Sequence, residues 1–153
     1  MFMHSPTDLI FATTKLEKRM ELFPSSSRPS KIGDPSWYFG QIWLEPILAA
    51  PTPSRNISVR MKFAPGSRTA WHSHPLGQTV YVVAGIGLIG TRDAPPQILR
   101  PGDAVWIPPG QEHWHGATLG STLDHISIRE SETGFATTWM AHVSDDEYQI
   151  TPV

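Results

Sequence analysis

The sequence contains no cysteine. That absence excludes a disulfide framework and a thiolate metal site, so any bound metal must rest on histidine and oxygen donors. No apolar run approaches the roughly 20 residues of a membrane-spanning helix. The opening stretch, residues 1–20, also lacks a basic segment followed by an apolar one. The expectation is a cytoplasmic protein. Charge of one sign is missing too: 12 Lys+Arg stand against 14 Asp+Glu, a formal net charge of -2. This gives no electrostatic footprint for nucleic acid or an anionic membrane as partner. No internal repeat or low-complexity segment is present, and 153 residues suit one domain.

What is abundant is punctuation. Fifteen prolines and twelve glycines interrupt the chain too often for long helices, and the segments between them are rich in Val, Ile, Thr, Trp and Tyr. The pattern predicts an all-β barrel or sandwich, with strands at Ile57 to Phe63, Gln78 to Ala84, Ala104 to Ile107, Glu112 to His115 and Leu123 to Glu130. Trp37 to Leu44 reads as the first solid strand, and Glu45 to Ser54, carrying Pro46, Pro51 and Pro53, as a loop. Residues 1–35 read as an N-terminal arm with a short strand near Arg19 to Phe23, and residues 36–153 as the barrel domain. Ser144 and Glu147 have the spacing of a capping box, which predicts a short C-terminal helix from about Asp145.

Side-chain alternation assigns faces. Arg60 and Lys62 alternate with Val59, Met61 and Phe63, so the apolar set points inward. In Leu123 to Glu130 the set His125, Ser127, Arg129 alternates with Ile126 and Ile128. If the histidine set faces the lumen, both isoleucines point outward and need cover from the arm or from a second chain. A homodimer is the simpler expectation. Trp71, Trp106 and Trp114 are read as core and wall residues.

Five of seven histidines lie between residues 72 and 125. His72 and His74 are two apart, which on a strand places both imidazoles on one face, about 7 Å apart at the backbone. Gln78 follows the turn signal Pro75-Leu76-Gly77, and His113 follows Pro108-Pro109-Gly110. Four such donors without sulfur suit Mn(II), Fe(II), Ni(II) or Zn(II) and leave positions open for substrate.

Gly66, His72, His74, Gln78 and Gly85, with Gly102, Pro108, Gly110 and His113, resemble the two motifs of the cupin family over roughly residues 57 to 120. The resemblance implies a jelly-roll barrel. It departs at Gln78, where cupins usually carry Glu; the neutral ligand leaves a bound ion one unit more positive and a stronger Lewis acid. The runs Ala70 to Thr79, Gly102 to Trp106 and His113 to Ala117 resemble a narrower group, small bacterial cupins that include manganese-dependent hydroxynitrile lyases. That resemblance implies Mn(II) on His72, His74, Gln78 and His113.

It also implies C–C cleavage beside an oxygenated carbon, as in the conversion of a cyanohydrin to aldehyde and hydrogen cyanide. His125 matches the position of the group's general base, His115 on the strand face of His113 would hydrogen-bond substrate, and Thr69 would offer a hydroxyl at the pocket mouth. Val59, Met61 and Phe63 would form an apolar wall for a small aromatic or apolar substrate, joined by Ser127 and Arg129. Arg129 departs from the neutral amide of those lyases. Facing the pocket, it would prefer a carboxylate or enolate; otherwise it reaches solvent or pairs with Glu130 or Glu132. The competing function is a dioxygenase, decarboxylase or isomerase acting on a small keto or phenolic acid held by Arg129.

Overall fold

The computed structural model describes residues 19–148. Thirteen strands run in chain order: β1 Lys31–Ile32, β2 Tyr38–Phe39, β3 Ile42–Ala49, β4 Asn56–Phe63, β5 Arg68–Thr69, β6 His72–Ser73, β7 Gln78–Gly85, β8 Gly87–Thr91, β9 Ala94–Leu99, β10 Ala104–Ile107, β11 His113–Ala117, β12 Leu123–Glu130 and β13 Thr138–Trp139. The C-terminal helix α1 spans Asp145–Tyr148. The strands form two antiparallel sheets. One has the order β1-β3-β4-β12-β7-β10; the other has β13-β6-β11-β5-β2, with β8 joining β11 to β9. This is the expected jelly roll, and no helix among the described residues is long and apolar enough to cross a membrane.

The core lies between the sheets, as alternation required. Ile42, Met61, Phe63, Val80, Val82 and Leu123 are buried together, while Arg60 turns outward and forms a two-point ion pair with Asp124 at 2.9 and 2.7 Å. His125 and Ser127 are fully buried and Ile128 is exposed, so the histidine face of β12 is the inner one. Trp71 and Trp114 are core residues in a second cluster with Leu88 and Val143. Trp106 is not: it is 61% exposed on the outer face of the edge strand β10.

Three sequence expectations need correction, and one hairpin is added. The segment Arg19 to Phe23 forms no strand; a strand needs a neighbour, and the free edge of β3 is instead paired by Lys31 and Ile32. The stretch Trp37 to Leu44 is not one strand. Gly40 sits at φ 82°, and a Cβ there would lie 2.4 Å from Ser67 Oγ; the chain turns at this glycine and passes from β2 in one sheet to β3 in the other. Glu45 to Ala49 is strand rather than loop, because a register shift between Pro46 and Leu48 lets β3 stay paired with β4 through Ala49. The hairpin β8–β9 escaped the reading because Pro95 and Pro96 argue against a strand; β9 pairs on only one side, where proline is tolerated.

Candidate metal site

Both sheets contribute to one end of the sandwich. His72 on β6 and His113 on β11 are direct cross-strand partners, which brings their side chains to one face. His74 follows β6, where Gly77 and Gly110 both donate their backbone N–H to the His74 carbonyl, at 3.4 and 2.9 Å. The two ligand-bearing loops are thereby tied together. Gly77 has φ 82°, and a Cβ there would meet the Trp106 ring at 2.6 Å, so the turn that delivers Gln78 from the opposite sheet requires glycine.

The backbone fixes the proton on each imidazole. Nδ1–H of His72 donates to the Ala70 carbonyl at 2.8 Å, that of His74 to Ala136 at 2.6 Å, and that of His113 to Gln111 at 2.9 Å. A carbonyl only accepts, so each Nε2 is left with its lone pair, the form that ligates metal. The ligating atoms of these three buried residues lie within 4.8 Å of one another. Gln78 donates its amide N–H to Ser127 Oγ, which turns Oε1 toward His113 Nε2 at 3.0 Å. Two lone pairs at that distance repel unless a cation lies between them. The spacing suits adjacent ligands of one ion with bonds of about 2.1 Å at right angles. His74 Nε2 is shielded from solvent and has no hydrogen-bond partner among the described residues. The donor set fits one divalent ion.

A small cavity of about 30 Å³, partly open to solvent, lies beside these donors. Of the residues named for catalysis and substrate binding, Thr69, His115, Met61, Ser127 and Arg129 line it. Val59 and Phe63 do not: Val59 packs into the core, and Phe63 lies behind the cavity with its ring 5.9 Å from His115 and 5.2 Å from His125. His125 also stands back from the cavity. Its Nε2 meets His115 Nδ1 at 3.0 Å, so His115 separates it from the space where a ligand would sit. His115 Nε2 and His125 Nδ1 are buried without partners among the described residues. Burial pushes His125 down to about 4; burial, then the neighbouring imidazoles, holds His115 well below the usual histidine range. The pair is neutral near pH 7.

Thr69 Oγ1 accepts the backbone N–H of His115 at 3.2 Å, which leaves its own proton free for the cavity. Arg129 makes none of the ion pairs with Glu130 or Glu132 that were its alternative; it is half-buried, and its Nε has no partner among the described residues.

Three further cavity residues were not legible in the sequence: Tyr38, Thr137 and Trp139. The Trp139 ring lies 4.8 Å from His72 and stacks on Trp37 at 5.5 Å, and the Thr137 hydroxyl is 3.3 Å from His74 Nδ1. They lie outside the histidine runs, and only the pairing of β13 with β6 and of β2 with β5 brings them in.

The chain is similar to known proteins. Residues 59–125 match the cupin domain model. The chain is 40% identical over 130 residues to an (R)-mandelonitrile lyase of Granulicella tundricola, covering 85% of this chain and 99% of that protein. The crystal structure of a cupin-like protein from Thermotoga maritima superposes with a TM-score of 0.72 at 33% identity, over 84% of this chain and 95% of that one. The polyketide cyclase RemF from Streptomyces resistomycificus shares the fold at 19% identity, with a TM-score of 0.66 over 85% and 91% of the two chains. With a relative this similar along almost its whole length, and with the histidines of the family motif converging in the folded chain, the protein belongs to the cupin family.

Proposed function

We propose that the protein is a metal-dependent lyase that cleaves, or in reverse forms, a C–C bond beside an oxygenated carbon, in the manner of a hydroxynitrile lyase. The observation that carries this reading is the convergence of His72, His74 and His113 beside a cavity whose lining includes His115, an imidazole with one nitrogen unpartnered among the described residues. The (R)-mandelonitrile lyase relative supports it. His72, His74, His113 and Gln78 would hold the ion, and the resemblance to manganese-dependent lyases favours Mn(II). When bound, the ion supplies a Lewis acid with two units of charge undiminished by its neutral ligands.

The remaining work falls to the chain. Thr69 and His115 bracket the substrate hydroxyl. With the shared proton on His115 Nδ1 and donated to His125 Nε2, His115 Nε2 is a free base toward the cavity. The hydroxyl proton passes to His115 Nε2 and the O–H electron pair becomes the carbonyl π bond. The C–C bond breaks with its pair on the leaving cyanide, which takes the proton back as hydrogen cyanide. His125 acts through His115, stabilising the imidazolium while it exists. This reassigns the base expected at His125, because His115 is the residue on the cavity wall. Met61 supplies an apolar surface for the substrate body.

The test is to incubate manganese-loaded protein with racemic mandelonitrile and follow benzaldehyde by absorbance. Release above that of a chelator-treated control is expected, and an equal rate in both sinks the assignment. A second reading, a cupin dioxygenase, decarboxylase or isomerase acting on a keto or phenolic acid, is favoured by Arg129 on the cavity wall. Oxygen uptake that requires added Fe(II) would select its oxygenase form.

A further inference from the structure

The cavity contains positive charge, and among the described residues nothing lines it that would neutralise that charge. None of the described residues lining it is an aspartate or glutamate. The four donors beside it are neutral, so a divalent ion held there keeps its whole charge. Arg129 adds a further unit from the opposite sheet, since a guanidinium stays protonated even when burial lowers its affinity for the proton. Its Nε has neither solvent nor a hydrogen-bond partner among the described residues. Such a group weakens a fold when its desolvation is not offset by an anion, and none of the described residues lining the cavity supplies one. A bound anion would supply the missing partner. Tyr38, from the other sheet, stands on the same cavity wall, where burial raises its phenol and the nearby guanidinium opposes that rise. The phenol therefore remains a neutral hydrogen-bond donor near pH 7. A planar two-donor fork and a phenolic O–H match the oxygens of one carboxylate.

We infer that Arg129 and Tyr38 form a carboxylate-binding subsite and that the natural substrate is an anion, a small organic acid whose carboxylate sits there while its reacting oxygen faces His115 and the histidine donors. The inference rests on the reading of this cavity as the substrate site. It adds a charge requirement that a neutral cyanohydrin does not meet. The carboxylate is a handle and takes no part in bond breaking.

Benzoate, with benzamide as its neutral counterpart, probes the subsite by isothermal titration calorimetry on manganese-loaded protein and on a chelator-treated portion. The protein is expected to bind benzoate about tenfold or more tightly than benzamide, the increment of a charge-assisted pair. In R129Q that preference should vanish in both preparations, which separates the guanidinium from the metal as the carboxylate's partner. R129K, which keeps the charge and loses the fork, should fall between them and also serves if R129Q does not fold. Y38F should weaken benzoate alone. Equal affinity for benzoate and benzamide, or an R129Q affinity for benzoate within about twofold of the unmodified protein, overturns the inference. Mandelonitrile cleavage is followed on the same manganese-loaded samples. Failure of the lyase assignment would show there as missing benzaldehyde while the benzoate result stands.

Discussion

Each metal-site imidazole is oriented by a backbone carbonyl within hydrogen-bonding distance of Nδ1, and the carbonyls of Ala70 and Gln111 belong to the same local turns as the histidines they hold. The geometry therefore survives substitution of neighbouring side chains but not of the donors. His113→Ala and His74→Ala are expected to lower bound manganese from about one equivalent to near zero, measured by mass spectrometry on dialysed protein, because two or three remaining ligands lose most of the affinity. Gln78→Glu should retain the ion, and should hold it more tightly, since it adds an anionic ligand; a lower metal occupancy than the parent would contradict the placement of Oε1. His125 offers a different test. Its folded value of about 4 lies below the ordinary 6.5, so the unfolded chain takes up the proton first as pH falls. The stability it contributes is whole above pH 6.5 and is lost as pH drops toward 4, up to about 3 kcal/mol for a shift of this size. Metal-free His125→Phe should show a flatter decline in urea midpoint across that window; an unchanged slope would mean that another group governs the acid limb.

At the scale of the element, a buried cation anchors the C-terminal helix, beside the Tyr148 hydroxyl that donates to the Ala117 carbonyl and the Trp71 indole N–H that donates to Glu147. Arg68 lies between the rings of Phe39 and Tyr148, at 4.4 and 4.3 Å from their centroids. It donates to the Val143 carbonyl at 3.0 Å and to Asp145 at 2.8 Å. Ser144 and Glu147 close the helix start reciprocally, with Glu147 Oε2 accepting the Ser144 N–H at 2.8 Å and Ser144 Oγ accepting the Glu147 N–H at 3.2 Å, so the spacing read in the sequence is a working cap. The cap sets where the helix begins; Arg68 contributes to where it lies. Arg68→Ala is expected to cost about 2–3 kcal/mol in chemical denaturation, from lost cation–π contact and an unsatisfied carbonyl. Asp145→Ala should cost well under 1 kcal/mol or so, because that carboxylate is exposed. Equal effects would show that the ion pair, and not the buried packing, carries the interaction.

At the scale of the whole molecule, the outer face of the six-stranded sheet carries an apolar patch beside the Arg60–Asp124 ion pair. Ile126 stands opposite Tyr81, and Ile128 and Trp106 both stand opposite Thr79; Tyr81, Trp106 and Ile128 are 46%, 61% and 40% exposed. A patch of this kind marks an interaction surface, and it is where the expected homodimer would form. Sedimentation equilibrium is expected to give a dimer, and Ile128→Glu with Tyr81→Glu a folded monomer. A monomeric parent protein would leave the patch to another partner.

The strands that carry chemistry were legible because alternation is a local property: a histidine two residues from another shares its face whatever the rest of the chain does, and glycine or proline marks where each strand stops. By itself the sequence determined the β architecture, the candidate donors His72, His74 and His113 with Gln78 beside them, the inward set His125, Ser127, Arg129 and the capped helix. Only the tertiary structure decided which inward residues reach the cavity. Whether His125 or His115 meets a ligand, whether Phe63 is wall or backing, and whether Tyr38 and Trp139 join the site depend on the packing of one sheet against the other. So does the partnering of Arg129, since a charge is satisfied by what lies across the cavity and not by its neighbours along the strand. Periodicity reports the direction of a side chain; depth and company are set by contacts between residues far apart in the chain.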